Sequence, residues 1–76
     1  MKKKPDKKFL IAVGKRIRQL REQQKISQGQ LAFETGIRRE QIIRIESGAQ
    51  STGIDILKKL ASALDITLSD LFDFEN

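Results

Sequence analysis

A chain of 76 residues, 38% hydrophobic and 33% charged, predicts one small globular domain without a separate sensor module. With no cysteine and no histidine, disulfides, Cys/His zinc sites, thiol nucleophiles and the commonest general base are excluded, and no Asp/Glu cluster has metal-ligand spacing; no enzyme, metal site or cofactor is expected. The net charge of +5 is uneven: residues 1–50 hold thirteen Lys and Arg against five Asp and Glu, whereas residues 51–76 hold two against five, which suits either a polyanion-binding front with an acidic tail turned away or an ordinary basic protein.

Residues 1–8 read as a basic flexible arm. Pro5 breaks helix there, and Lys2, Lys3, Lys4, Lys7 and Lys8 form either a solvated tail or a loose phosphate contact. The arm lacks the apolar stretch of a signal peptide, and no later run approaches membrane-spanning length, so a cytoplasmic protein without membrane contact is expected. Asp6 is a suitable cap for a first helix over about residues 7–24. Leu10, Val13, Ile17 and Leu20 mark its buried face, with Lys15, Arg16, Arg18 and Lys25 off that face and Arg21 beside it.

After a short connection with Ile26 tucked under it, a second helix is expected over about residues 28–34. Ser27 caps it, and Gln30 three residues on completes a capping box. Leu31 and Ala32 give it an apolar stripe, and Gly36 supplies a left-handed stop. Ile37 packs under the turn. A third helix over about residues 38–46 turns Ile42 and Ile45 inward and Arg38, Arg39, Glu40, Gln41 and Arg44 outward. The uncharged loop Gly48–Gly53 comes next. A fourth helix over about residues 53–64 closes the core with Ile54, Leu57, Leu60, Ala61 and Leu64. Thr67 and Asp70 form a second capping box for a fifth helix over about residues 68–73, with Leu71 and Phe72 inward. Ile56 falls on the outer face of the fourth helix and Phe74 has no obvious slot; together they form either a dimer patch or scattered apolar exposure.

Counted from Gln28, Ala32, Gly36, Ile42 and Ile45 fall at the fifth, ninth, fifteenth and eighteenth places. With Gly14–Arg21 upstream and Glu46–Gly48, Leu57–Leu64 and Leu71–Phe72 downstream, this joint spacing resembles the helix-turn-helix of the Cro and phage-repressor family, the Xre-like regulators. The resemblance covers about residues 10–72. It implies an all-α, compact five-helix lambda-repressor-like DNA-binding domain over residues 9–73, followed by a short tail at residues 74–76.

The resemblance also implies that Arg21 pairs with Glu46, locking the first helix to the third, and that Gln28 contacts backbone phosphate while bracing the recognition helix. Arg39, in the first turn of the third helix, suits guanine O6 and N7 together. Glu40 suits a cytosine amino group, and Gln41 and Arg44 suit a base edge or a phosphate. Arg38 stands where the family prefers a serine or threonine cap, and reads as phosphate-seeking. Ile43 occupies a usually small or polar position; it touches either a thymine methyl group or the fourth helix. Gln50, Ser51 and Thr52 offer amides and hydroxyls to phosphate, although the family usually has proline at the place of Thr52, and a flexible connector is the alternative.

These residues lead to sequence-specific double-stranded DNA binding in the major groove by a small transcriptional regulator. A homodimer on an inverted-repeat operator is expected, with half-sites about 34 Å apart. Promoter occlusion and RNA polymerase contact are both open as mechanisms. The alternative is a protein-interaction module of antitoxin-like or coactivator-like type, with a toxin or similar partner on Ile43, Ile56 and Phe74.

Overall fold

The first helix opens at a local cap. Asp6 has an extended backbone and its carboxylate accepts the Phe9 N–H at 3.2 Å, so α1 runs Lys7–Gln23. The computed structural model describes residues 6–74; the arm ahead of Asp6, with Lys2, Lys3 and Lys4, and the final two residues of the tail lie outside the described residues. Ser27 caps α2 (Gln28–Thr35) by accepting the Gln30 N–H at 3.0 Å. The capping box expected there is only half built, because the Gln30 side-chain amide reaches forward to Glu34 at 3.1 Å, an i,i+4 partner on its own helix. α3 (Arg39–Glu46) follows Arg38, whose side chain makes no capping bond. α4 (Ile54–Ala63) follows Gly53. α5 (Leu68–Leu71) carries the full reciprocal box: Asp70 N–H to Thr67 Oγ1 at 3.0 Å, and Thr67 N–H to Asp70 Oδ2 at 3.3 Å. No strand occurs among the described residues, and no helix of theirs is long and apolar enough to cross a membrane.

Three of the helices reverse the chain by the same device. At the end of α1 the Ile26 N–H bonds to Arg21 O and the Lys25 N–H to Glu22 O. At the end of α3, Ala49 bonds to Arg44 O and Gly48 to Ile45 O; at the end of α4, Ile66 bonds to Ala61 O and Asp65 to Ser62 O. Each is a Schellman pair around one left-handed residue, at φ +59° for Lys25, +78° for Gly48 and +58° for Asp65. The tight return folds Ile26 and Ile66 back onto the core.

That core takes a sealed side chain from every helix: Ile17, Leu31, Ile42, Leu60 and Leu71, joined by Leu64 at the end of α4. Burying apolar side chains of this size stabilises by about 1.5–3 kcal/mol each, which is what holds such short helices in place. Helix α1 can lie close against α3 because Gly14 faces the last turn of α3; a Cβ there would overlap the carbonyl oxygens of Ile45 and Glu46.

The two isoleucines of α4 exchange the places expected of them. Ile54 is 65% exposed, since it sits in the first turn, where the apolar stripe runs past the helices that cover Leu57 and Ala61. Ile56 lies one turn before Leu60, is carried inward with it, and packs half-buried against the core. Phe74 does find a slot: it is half-buried, packs against the core, and its ring centroid lies 6.0 Å from that of Phe9 on α1. Leu10 is half-buried rather than sealed.

Lysine in a left-handed turn is strained where glycine is not. Lys25→Gly is therefore expected to raise stability by about 0.5–1 kcal/mol, after allowing for the extra freedom of glycine in the unfolded chain. Gly14→Ala is expected to lower it by about 1–3 kcal/mol through overpacking against α3. Urea unfolding of the two variants beside the parent checks both signs.

Candidate nucleic-acid interface

Helix α3 has two unlike faces. Ile42, Ile45 and Glu46 are buried, while Arg38, Arg39, Glu40 and Arg44 are exposed, Gln41 is half-buried and Ile43 is 43% exposed. Helix α2 backs it through buried Leu31 and half-buried Ala32. Gly36 at φ +73° makes the turn between them, and Thr35 stitches it: Oγ1 donates to Leu31 O at 2.7 Å and accepts the Ile37 N–H at 3.2 Å. Ile37 is buried beneath.

The rotation of α3 about its axis is set at its last residue. The Glu46 carboxylate takes both faces of the Arg21 fork, Nε at 2.7 Å and Nη2 at 3.0 Å, and the remaining Nη1 donates to Ile26 O at 3.0 Å. Gln28 Nε2 adds a donor to Glu46 Oε1 at 3.1 Å. One carboxylate thus joins α1, the start of α2 and the end of α3, and Arg21 extends the tie to the turn after α1. Arg21 and Glu46 are both buried, and among the described residues no buried side-chain nitrogen or oxygen lacks a partner. The hydrogen bond to Glu46 holds the Arg21 guanidinium above its ordinary pKa against the opposing effect of burial. Stability from a raised cationic group is complete below the unfolded pKa and is lost only as pH rises through the folded one, so the Arg21 guanidinium adds no pH dependence in the physiological range.

The end of α3 brings a further residue to the outer face. Returned by the Schellman turn, Gln50 lies beside Arg44, and its Oε1 accepts from Arg44 Nε at 3.0 Å. Gln50, Ser51 and Thr52 line a shallow cleft with Asp6, Phe9 and Leu10 of the first helix and its cap. Arg39 and Glu40 take part in neither of the two ion pairs among the described residues, Arg18–Glu22 and Arg21–Glu46. Lys7 and Lys8 are exposed at the start of α1. Gln28 is drawn into the buried carboxylate, which leaves its second amide hydrogen and the first two backbone N–H groups of α2, ahead of the capped Gln30, for an outside acceptor.

Three contacts were beyond sequence reasoning. Arg16 donates to Asp70 O at 3.1 Å, tying α1 to α5, and Gln24 donates to Leu64 O at 2.6 Å. Neither residue differs in sequence from an ordinary solvated polar side chain. The third is the Arg44–Gln50 bond, for which the only available sign was glycine two residues after the expected helix end.

Removing Arg21 leaves the Glu46 carboxylate buried with a single side-chain donor. Arg21→Ala is expected to cost about 3–5 kcal/mol, whereas Arg21→Met with Glu46→Leu, which removes both charges and restores apolar volume, costs much less. Thermal unfolding of the single and double variants distinguishes a buried pair from two surface charges.

A helix-turn-helix family model matches residues 17–71, from the middle of α1 to the end of α5. Control protein C.BamHI of Bacillus amyloliquefaciens is 37% identical over 65 residues, 84% of this chain and 80% of that protein. The HTH-type transcriptional regulator SlrR of Bacillus subtilis is 34% identical over 64 residues, 83% of this chain and 42% of that protein. Among solved structures, the restriction-modification controller protein C.AhdI of Aeromonas hydrophila gives a TM-score of 0.81 at 38% identity, covering 83% of this chain and 96% of that one. With the spacing of the two helices, the glycine turn between them and a match over most of its length, the chain belongs to the helix-turn-helix family of Xre-like DNA-binding transcriptional regulators.

Proposed function

We propose that this chain binds an inverted-repeat DNA operator as a two-fold homodimer, each copy laying the outer face of α3 in a major groove. The observation that carries the reading is the division of α3: its inner face is fixed by Ile42, Ile45 and the buried Glu46 carboxylate, while Arg39, Glu40 and Arg44 stand exposed on the outside. Arg39 takes the two acceptors of guanine from the first turn, and Glu40 accepts from cytosine or repels other bases. Arg44 and Gln41 complete the base contacts further along.

Phosphates are taken by Arg38, by the start of α2 with the remaining Gln28 amide hydrogen, and by the Ser51 and Thr52 hydroxyls. Gln50 contributes its amide hydrogens, the groups a phosphate can accept from, while its oxygen holds Arg44. Such contacts make affinity fall steeply with salt. Ile56 and Phe74 offer a dimer interface only what the core leaves uncovered. The same partial burial reduces the surface that two of the three contacts, Ile56 and Phe74, would give an antitoxin-like or coactivator-like protein-interaction module.

Two relatives matched over most of their own length are named a control protein and a restriction-modification controller, which favours a controller role here, exercised in the cytoplasm by occluding a promoter or contacting polymerase.

Selection of bound sites from a random DNA pool tests the reading. Recovered sites are expected to be two-fold symmetric, with half-site centres about 34 Å apart. Arg39→Ala is expected to remove about 1–3 kcal/mol of discrimination at one symmetric pair of positions while leaving non-specific affinity nearly intact. An unenriched pool, or equal loss on every sequence, overturns the proposal.

A further inference from the structure

We infer that Gln50 is a positioning residue for Arg44 and that the pair selects guanine, or another acceptor-only edge, beneath it. The inference rests on the proposed reading of Arg44 as a base contact. Its basis is the chemistry of one hydrogen bond and the loop that makes it. Arginine carries only donors, so the group facing Arg44 Nε at 3.0 Å has to be the amide oxygen of Gln50, not its NH2. That bond occupies Nε and fixes the plane of the guanidinium, leaving the four N–H bonds of Nη1 and Nη2. It also takes one of the two lone pairs of the Gln50 oxygen and ties the amide to the guanidinium, leaving the two amide hydrogens and one lone pair. A free glutamine can turn its oxygen and its NH2 together onto adenine; turning Gln50 that way would break its bond to Arg44. Guanine presents two acceptors in the major groove and matches the free Nη donors of Arg44, so the bonded pair favours guanine over the adenine contact that an isolated glutamine would make.

The position of Gln50 is not left to a loose loop. Gly48 at φ +78° and the bonds Gly48 N–H to Ile45 O (3.1 Å) and Ala49 N–H to Arg44 O (2.9 Å) return the chain directly against the last turn of α3. Ser47 Oγ donates to the same Arg44 carbonyl at 3.0 Å. The turn is seated on α1, where a Cβ at Gly48 would stand 2.6 Å from Ile11 Cγ1. The residue that supplies the acceptor is therefore set by backbone geometry shared with the recognition helix itself.

Random-pool site selection with the full chain and the variants Arg44→Ala, Gln50→Ala and Gln50→Glu, together with the double variant Arg44→Ala/Gln50→Ala, tests this. Arg44→Ala is expected to abolish a guanine preference at one symmetric pair of positions. Gln50→Ala is expected to weaken guanine enrichment there about three- to tenfold, with positions under Arg39 and the melting temperature unchanged, and to add nothing at that position in the Arg44→Ala background. Gln50→Glu keeps an acceptor for Nε and is expected to retain the guanine preference while lowering affinity for all sequences through repulsion of phosphate. In the DNA-free protein, the Arg44 Nε–H resonance is expected to exchange faster with water in Gln50→Ala than in the parent. An equal effect of Gln50→Ala with and without Arg44 overturns the inference alone. An Arg44→Ala profile identical to that of the parent overturns the reading of Arg44 and the inference with it.

Discussion

A single buried carboxylate fixes which way the outer face of α3 points. Glu46 closes the helix and is held by three side-chain hydrogen bonds, two from Arg21 and one from Gln28. A buried ion pair of this kind contributes little net stability over an apolar substitute, because desolvating both charges costs about what their attraction returns. What it supplies is geometry. Leucines at the same places would accept small rotations of α3 against α1, whereas a bidentate fork tolerates few. The contrast with Arg18–Glu22 is instructive: that pair is exposed along one face of α1 and is worth about 0.3–0.5 kcal/mol.

The same economy appears in the helix ends. An α3 of eight residues is too short to hold its shape alone, and its sequence gives it no side-chain cap. Its conformation is owed to Ile42 and Ile45 beneath it, to Gly14, which lets α1 approach, and to the left-handed turn at Gly48 behind it. Lys25 and Asp65 make equivalent turns despite the strain of a side chain at positive φ. At Gly48 a Cβ would also meet Ile11 of α1, so this position answers to packing as well as to backbone conformation.

Helix starts were legible in the sequence because capping is local chemistry. Asp6, Ser27 and Thr67 each accept a backbone N–H three residues on, a relation that spacing alone reveals. The apolar period likewise placed Ile17, Leu31, Ile42 and Leu60 inside. What failed was anything decided by neighbours distant in sequence. Ile54 has the right period but lies past the edge of the covering helices, and Phe74 is absorbed by Phe9, which is remote from it along the chain. The Gln30 side chain had two near-equivalent partners, and the helical one prevailed. At the interface, the outward placement of Arg39 and Glu40 followed from period, but the bond between Arg44 and Gln50 depends on a turn whose tightness no residue pattern states.

The division between frame and outer face has a consequence for how such a protein can change. Arg38, Arg39 and Glu40 are exposed, and neither Arg39 nor Glu40 enters an ion pair with the frame. Substitutions there alter what α3 presents without touching what holds it, so on the proposed reading DNA preference can shift while the fold stays put. Arg38 illustrates the exchange: where a serine or threonine would cap α3 for about 1 kcal/mol, arginine leaves the first N–H groups of the helix open and adds a cation beside them. Glu40 in the first turn offsets part of that loss through the helix dipole. Open N–H groups at a helix start attract an anion, and a phosphate met there would supply the partner that the free protein lacks. Arg44 is the exception to this freedom. Bonded to Gln50 and through its carbonyl to Ala49, it belongs to both the outer face and the turn, so a change at this one position reaches the loop as well as the outer face of α3.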